Sequence, residues 1–127
     1  MTGPLLGTVG GAVLAGGSSR RMGRDKAFLE VAGVPLVASV AGVLDEVVDA
    51  GVVVVGGDVD GLRNLGLQCV PDLYPGDGPL GGILTAFHHF RGYCDHLVVL
   101  SCDLPRASAA SVGALLEAVA EVPAVIV

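Results

Sequence analysis

Short apolar runs alternate along this chain with longer stretches in which apolar residues recur every three or four positions. Gly11 to Ala15 reads as a fully buried strand, ended by Gly16 and Gly17, which open a polar, basic loop. Pro35 suits the first turn of a helix running to about Asp49. Leu36, Val40, Val43, Leu44 and Val47 form that helix's apolar stripe. Val52 to Val55 is a second buried strand, closed by Gly56 and Gly57. Gln68 to Val70 predicts a short third strand, stopped by Pro71. Pro75 to Gly82 is a Gly/Pro loop, and a helix beginning at Pro79 or Leu80 reaches about Arg91. Leu97 to Leu100 is a fourth buried strand, with Ser101 to Pro105 as its exit turn. Ser108 or Ser111 caps a helix to about Glu121, and Ala124 to Val127 reads as another strand. Strands alternating with helices predict an α/β fold with a mainly parallel sheet.

Nothing in the pattern divides the chain, so residues 1–127 are expected to form a single domain. Because it stops within an apolar, strand-like run, the expectation is an incomplete domain whose C-terminal part is missing. The first 19 residues carry no charged side chain, but six glycines and a proline interrupt them. A buried strand and its loop explain that stretch better than a signal peptide or a membrane span.

Composition narrows the partners. The net charge of −6 argues against a nucleic-acid partner, which calls for a basic face. The cations are nonetheless concentrated: four of the seven Lys and Arg lie between Arg20 and Lys26. Cys69, Cys94 and Cys102 are an odd number with no close pair, which suggests reduced thiols in a cytoplasmic protein.

Ligands of open α/β sheets bind beyond the carboxyl ends of the strands. Three candidate segments should meet there. The first is Leu14-Ala15-Gly16-Gly17-Ser18-Ser19-Arg20-Arg21-Met22-Gly23-Arg24-Asp25-Lys26. Its glycines let a backbone approach a ligand, and its N–H groups can cradle phosphate oxygens. Arg20, Arg21 and Lys26 add charge that suits a triphosphate. The spacing is neither that of a Walker A loop nor Gly-x-Gly-x-x-Gly. The second segment is Pro71-Asp72 and the following Gly76-Asp77-Gly78-Pro79-Leu80-Gly81-Gly82. Asp72 could accept hydrogen bonds from a base or a ribose, or equally cap its own loop. Asp77 reads as a turn residue. The third is Ser101-Cys102-Asp103-Leu104-Pro105, where a carboxylate stands at the tip of a buried strand. Such a group suits Mg²⁺, a hard ion that prefers oxygen donors, although an Asp there could also cap the turn. His88 and His89 are adjacent and cannot form an i,i+4 metal pair. With His96 they read as surface or packing residues.

Leu-Ala-Gly-Gly, Arg-Arg-Met-Gly and Asp-Lys together closely resemble the signature loop of the molybdenum cofactor guanylyltransferase family. The segment Phe28 to Leu36, the Gly-Pro-Leu-Gly-Gly stretch and Cys-Asp-x-Pro are similar to later family motifs. The resemblance implies a Rossmann-like three-layer nucleotidyltransferase fold. It implies transfer of GMP from GTP to molybdopterin, with pyrophosphate released and Mg²⁺ as cofactor. It assigns GTP contacts to Leu14, Ala15, Gly16, Gly17, Lys26, Asp72 and Asp103. Catalytic roles fall to Arg20, Arg21, Lys26 and Asp103, and the metal to Asp103. Expected partners are GTP and molybdopterin, with contacts to molybdoenzyme maturation proteins, and neither nucleic acid nor membrane. The family often has an Asn after the second strand. Here Gly56 or Gly57 stands there, leaving a backbone N–H or Asp58 as a substitute. Two other readings stay open: a cytidylyl or sugar-phosphate nucleotidyltransferase, and a GTP-binding fragment without turnover.

Overall fold

The structure, a computed structural model, describes residues 8–16, 20–21, 24–102 and 108–119; residues 20–21 and 24–26 are described through their backbone alone. Four strands form one parallel sheet: β1 (Val9–Leu14), β6 (Val52–Val55), β7 (Cys69–Val70) and β8 (His96–Ser101), in the order β7-β6-β1-β8. The intervening short strands make two hairpins, β2 (Arg20–Arg21) with β3 (Arg24–Asp25) and β4 (Glu30–Val31) with β5 (Val34–Pro35). The four helices are α1 (Leu36–Val47), α2 (Val59–Asn64), α3 (Gly78–Phe90) and α4 (Ala109–Val119).

β1 is bonded on both sides, with Leu14 opposite Val55 of β6 and opposite Ser101 of β8. A parallel strand buried on both faces must be apolar throughout, and this explains the unbroken run Val52 to Val55. Alternate side chains then serve opposite layers. Val13, Val54, Val98 and Leu100 pack with Val37, Val40, Ala41 and Leu44 of α1 and Val112 and Leu116 of α4. Ala12, Val53, Val55 and Val99 pack with Ala86 and Phe90 of α3. The result is three layers, with α1 and α4 on one face and α3 on the other. Gly10 permits the second contact, since a Cβ there would stand 2.8 Å from the Phe90 ring.

The buried stripe of α1 is Leu36, Val37, Val40, Ala41 and Leu44, whereas Val43 and Val47 are half-buried. The stripe is rotated toward the sheet by the requirement to cover both β1 and α4. Pro35 stands at the N-cap, not inside the first turn. α2 was not foreseen, because its six residues carry a single buried side chain, Leu62, and so show no apolar period. Within the polar, basic loop, Arg20–Arg21 and Arg24–Asp25 pair as short antiparallel strands, with Arg20 opposite Asp25. Ser108 is the cap of α4: its Oγ accepts from Ser111 N–H at 3.1 Å. The strand expected at Ala124 to Val127 lies outside the described residues.

Candidate active site

Strand order reverses beside β1: the chain steps outward to β6 and β7, then returns to β8 on the other flank. The carboxyl edge at such a reversal leaves a crevice between diverging loops. All four exits here are tied together by backbone bonds. Ala15 N–H donates to Val55 O at 2.9 Å, Cys102 N–H to Leu14 O at 3.0 Å, and Gly56 N–H to Val70 O at 2.9 Å. Ala15 and Gly16 therefore leave β1 between the ends of β6 and β8.

Gly16 and Gly56 meet at this edge, and Gly56 has φ +77°. The space that a Cβ on Gly56 would occupy lies 3.9 Å from Asp72 Cβ, which brings the first and second candidate segments together. The position where an Asn was anticipated is thus backbone. Gly56 N–H is spent on Val70 O. Asp58 is exposed at the head of α2 and makes no side-chain capping bond there.

Asp72 follows β7 and is half-buried. Its Oδ1 accepts from Tyr74 N–H at 2.8 Å and lies 3.2 Å from Thr85 Oγ1. The loop-capping role considered for this Asp is therefore real, and it occupies one carboxylate oxygen. The other oxygen accepts no hydrogen bond from any described residue. Thr85, on the buried face of α3, also accepts from Leu73 N–H and reaches Gly81 O, both at 2.9 Å. Tyr74 extends the network outward: its hydroxyl and His88 Nε2 are 3.1 Å apart, with the rings stacked. Asp77 lies in the turn before α3, its N–H donating to Tyr74 O.

Neither Thr85 nor Tyr74 was singled out in the sequence. A signal for Thr85 existed. It is the one polar residue among Gly81, Gly82, Ala86 and Phe90 on the buried face of α3. A buried hydroxyl there must find a partner, which points to a built contact.

The basic segment is held from below. Lys26 opens a 3-10 turn, Lys26–Phe28, whose next residue, Ala27, is fully buried in one cluster with Ala15 and Leu62. Phe28 packs against Gly61 of α2, where a Cβ would come within 2.7 Å of the ring. The backbone of Lys26 is thus fixed beside the β6–α2 turn. Gly17 and Asp103 lie outside the described residues, but Asp103 directly follows Cys102, which is buried and bonded to Leu14.

Elsewhere, an open cavity of about 330 Å³ lies between the end of α3 and the start of β8, lined by Phe87, His88, Arg91, Cys94, His96 and Leu97. It is at the amino edge of the sheet, opposite the strand exits. Cys94 is half-buried there. Desolvation pushes its thiol above the usual range, Asp95 and Asp49 add to the rise, and a backbone bond from Gly10 opposes it. His89 packs edge-on against Phe90. No helix among the described residues is long and apolar enough to cross a membrane.

A parallel sheet with helices on both faces, and with its loops converging where strand order reverses, defines a Rossmann-like α/β domain. The chain belongs to the family of MobA-like NTP transferase domains, whose profile matches residues 11–127. It is 51% identical over 96 residues to the probable molybdenum cofactor guanylyltransferase of Pelotomaculum thermopropionicum, covering 75% of this chain and 45% of that protein. Molybdopterin-guanine dinucleotide biosynthesis protein A from Archaeoglobus fulgidus superposes with a TM-score of 0.56 at 27% identity, over 78% of this chain and 49% of that one. A CMP:2-keto-3-deoxy-manno-octonic acid synthetase complexed with CTP shares the fold, with a TM-score of 0.77 at 22% identity over 92% of this chain and 49% of that one. The chain spans about half the length of the relatives it matches.

Proposed function

We propose that this chain supplies the GTP-binding part of an enzyme that transfers a guanylyl group from GTP to molybdopterin. The observation that carries the reading is the convergence of Gly16, Gly56 and Asp72 at the carboxyl edge of a sheet whose strand order reverses beside β1, in a chain of the MobA-like NTP transferase family. Similarity to a relative named as a molybdenum cofactor guanylyltransferase supports the choice of base and acceptor.

In this reaction a terminal phosphate oxygen of the acceptor attacks the α-phosphorus of GTP. A new P–O bond forms, the bond between the α- and β-phosphates breaks, and pyrophosphate leaves. Such chemistry depends on alignment and charge neutralisation. Leu14 to Gly17 would line the nucleotide, with the loop backbone approaching the phosphates. Arg20, Arg21 and Lys26 would hold the triphosphate and balance charge building on the leaving pyrophosphate. The second oxygen of Asp72 would accept from the ribose or base. Asp103 would hold Mg²⁺: its carboxylate is the hard donor that ion prefers, and it follows the strand end bonded to Leu14. When bound, the ion supplies neutralisation of phosphate charge. The same reading carries a cytoplasmic setting, in keeping with Cys69 and Cys94, which form no disulfide, and contacts with molybdoenzyme maturation proteins.

Calorimetric titration with GTP, CTP and UTP in the presence of Mg²⁺ tests the reading. GTP is expected to bind most tightly. Preference for CTP or UTP would move the chain to a cytidylyl or sugar-phosphate branch. GTP binding with no pyrophosphate release when molybdopterin is added would make it a binding unit alone.

A further inference from the structure

We propose that Thr85 is a positioning residue for nucleotide recognition, acting through Asp72. The inference rests on the proposed role of Asp72 in holding GTP.

Thr85 is only 3% exposed and sits in the interior of α3. A β-branched residue is a mediocre helix former, and a buried hydroxyl costs stability unless it is bonded. At this site the hydroxyl contacts three groups from two elements. It bonds Gly81 O within its own helix, receives Leu73 N–H, and faces Asp72 Oδ1 at 3.2 Å. The first contact is local and would be made on any helix. The other two cross to the loop after β7 and have no helical purpose.

Their effect is directional. Tyr74 N–H and Thr85 both engage the same oxygen of Asp72. Thr85 has one hydroxyl proton, shared between Gly81 O and Asp72 Oδ1. Directed to Asp72, it joins Tyr74 N–H on that oxygen, fixes the carboxylate's rotation and leaves the second oxygen as an acceptor without a partner among the described residues. That oxygen suits a ligand group that donates hydrogen bonds, such as a ribose hydroxyl or a base N–H. A carboxylate free to rotate would lose part of its binding in ordering itself, so holding it in advance strengthens recognition.

The test is a double-mutant cycle on the whole chain, read by GTP–Mg²⁺ affinity. Asp72→Ala is expected to weaken GTP. Thr85→Val keeps the shape but removes the hydroxyl, and is expected to weaken GTP by about tenfold, the scale of one hydrogen bond to a charged group. Thr85→Ser restores the hydroxyl and should bind within about twofold of the unaltered chain, a difference well under a single hydrogen bond. In the Asp72→Ala background, Thr85→Val should add nothing. If Thr85→Val does not fold, Thr85→Ala carries the same expectation. Full affinity in Thr85→Val, or an undiminished Thr85 effect without Asp72, overturns the positioning role while leaving Asp72 in place. Full affinity in Asp72→Ala, or no GTP binding by the unaltered chain, overturns the parent reading and the inference with it.

Discussion

Gly16 and Gly56 touch backbone to backbone: a Cβ on Gly56 would lie 2.9 Å from Gly16 Cα. Neither atom is the end of a side chain that could swing aside, so the exits of β1 and β6 are held at this spacing by the absence of side chains. Gly56→Ala combines that collision with a positive φ that L-residues disfavour. Gly33 provides a control, with φ +81° and nothing within 4 Å of an added Cβ. Gly33→Ala is expected to cost about 1–2 kcal/mol, from backbone strain alone. Gly56→Ala should cost at least about 3 kcal/mol. Urea unfolding midpoints check this, and equal losses would mean that the contact yields freely.

The cap of α4 can be removed without touching the core. Ser108→Ala deletes the acceptor of Ser111 N–H and should cost about 0.5–2 kcal/mol. Ser108→Asp should retain stability, because it keeps an acceptor and adds favourable charge at the helix start. Thermal unfolding followed by circular dichroism distinguishes the two.

The basic segment and the strand tip make separable predictions about ligand binding. Lys26→Ala should weaken GTP more than GMP, and equal losses would argue against a polyphosphate role. Asp103→Asn should weaken Mg²⁺-dependent GTP binding while the far-ultraviolet spectrum stays unchanged. Where turnover is measurable, either change should slow it by about a hundredfold to a thousandfold. Metal-dependent binding unaltered in Asp103→Asn would remove the assigned role.

Cys94 reports on the amino edge. Its raised thiol pKa means that folding favours the protonated form. The associated stability is present in full at neutral pH and is lost only as pH rises through the alkaline range. Alkylation of Cys94 in the folded protein at pH 7 should therefore be slower than in a denatured sample, with the gap closing as pH increases. Equal rates at pH 7 would contradict the burial.

Much of the architecture was legible because a parallel sheet leaves an unambiguous trace. The unbroken run Val52 to Val55 matches β6 residue for residue. Leu97 to Leu100 lies one residue inside β8 at each end. Short elements left no such trace. β2 and β3 have two residues each, too few to show a period. At the site, Gly16 reads in the sequence as a place for a ligand to approach the backbone; in the fold the group that approaches it is Gly56. The sequence could not say that Asp72 would cap its loop and still keep one oxygen without a partner among the described residues. That outcome depends on Thr85, thirteen residues later, reaching across from another element.

Central placement of β1 has a bearing on persistence. Its amides and carbonyls are shared with neighbours on both flanks, and Ala12 and Val13 are wholly shielded from solvent. Amide protons in such a strand exchange only when the whole domain opens. The turn beginning at Ala15 is rooted in the last part of the molecule to come apart, so partial opening at the periphery would leave its anchor undisturbed.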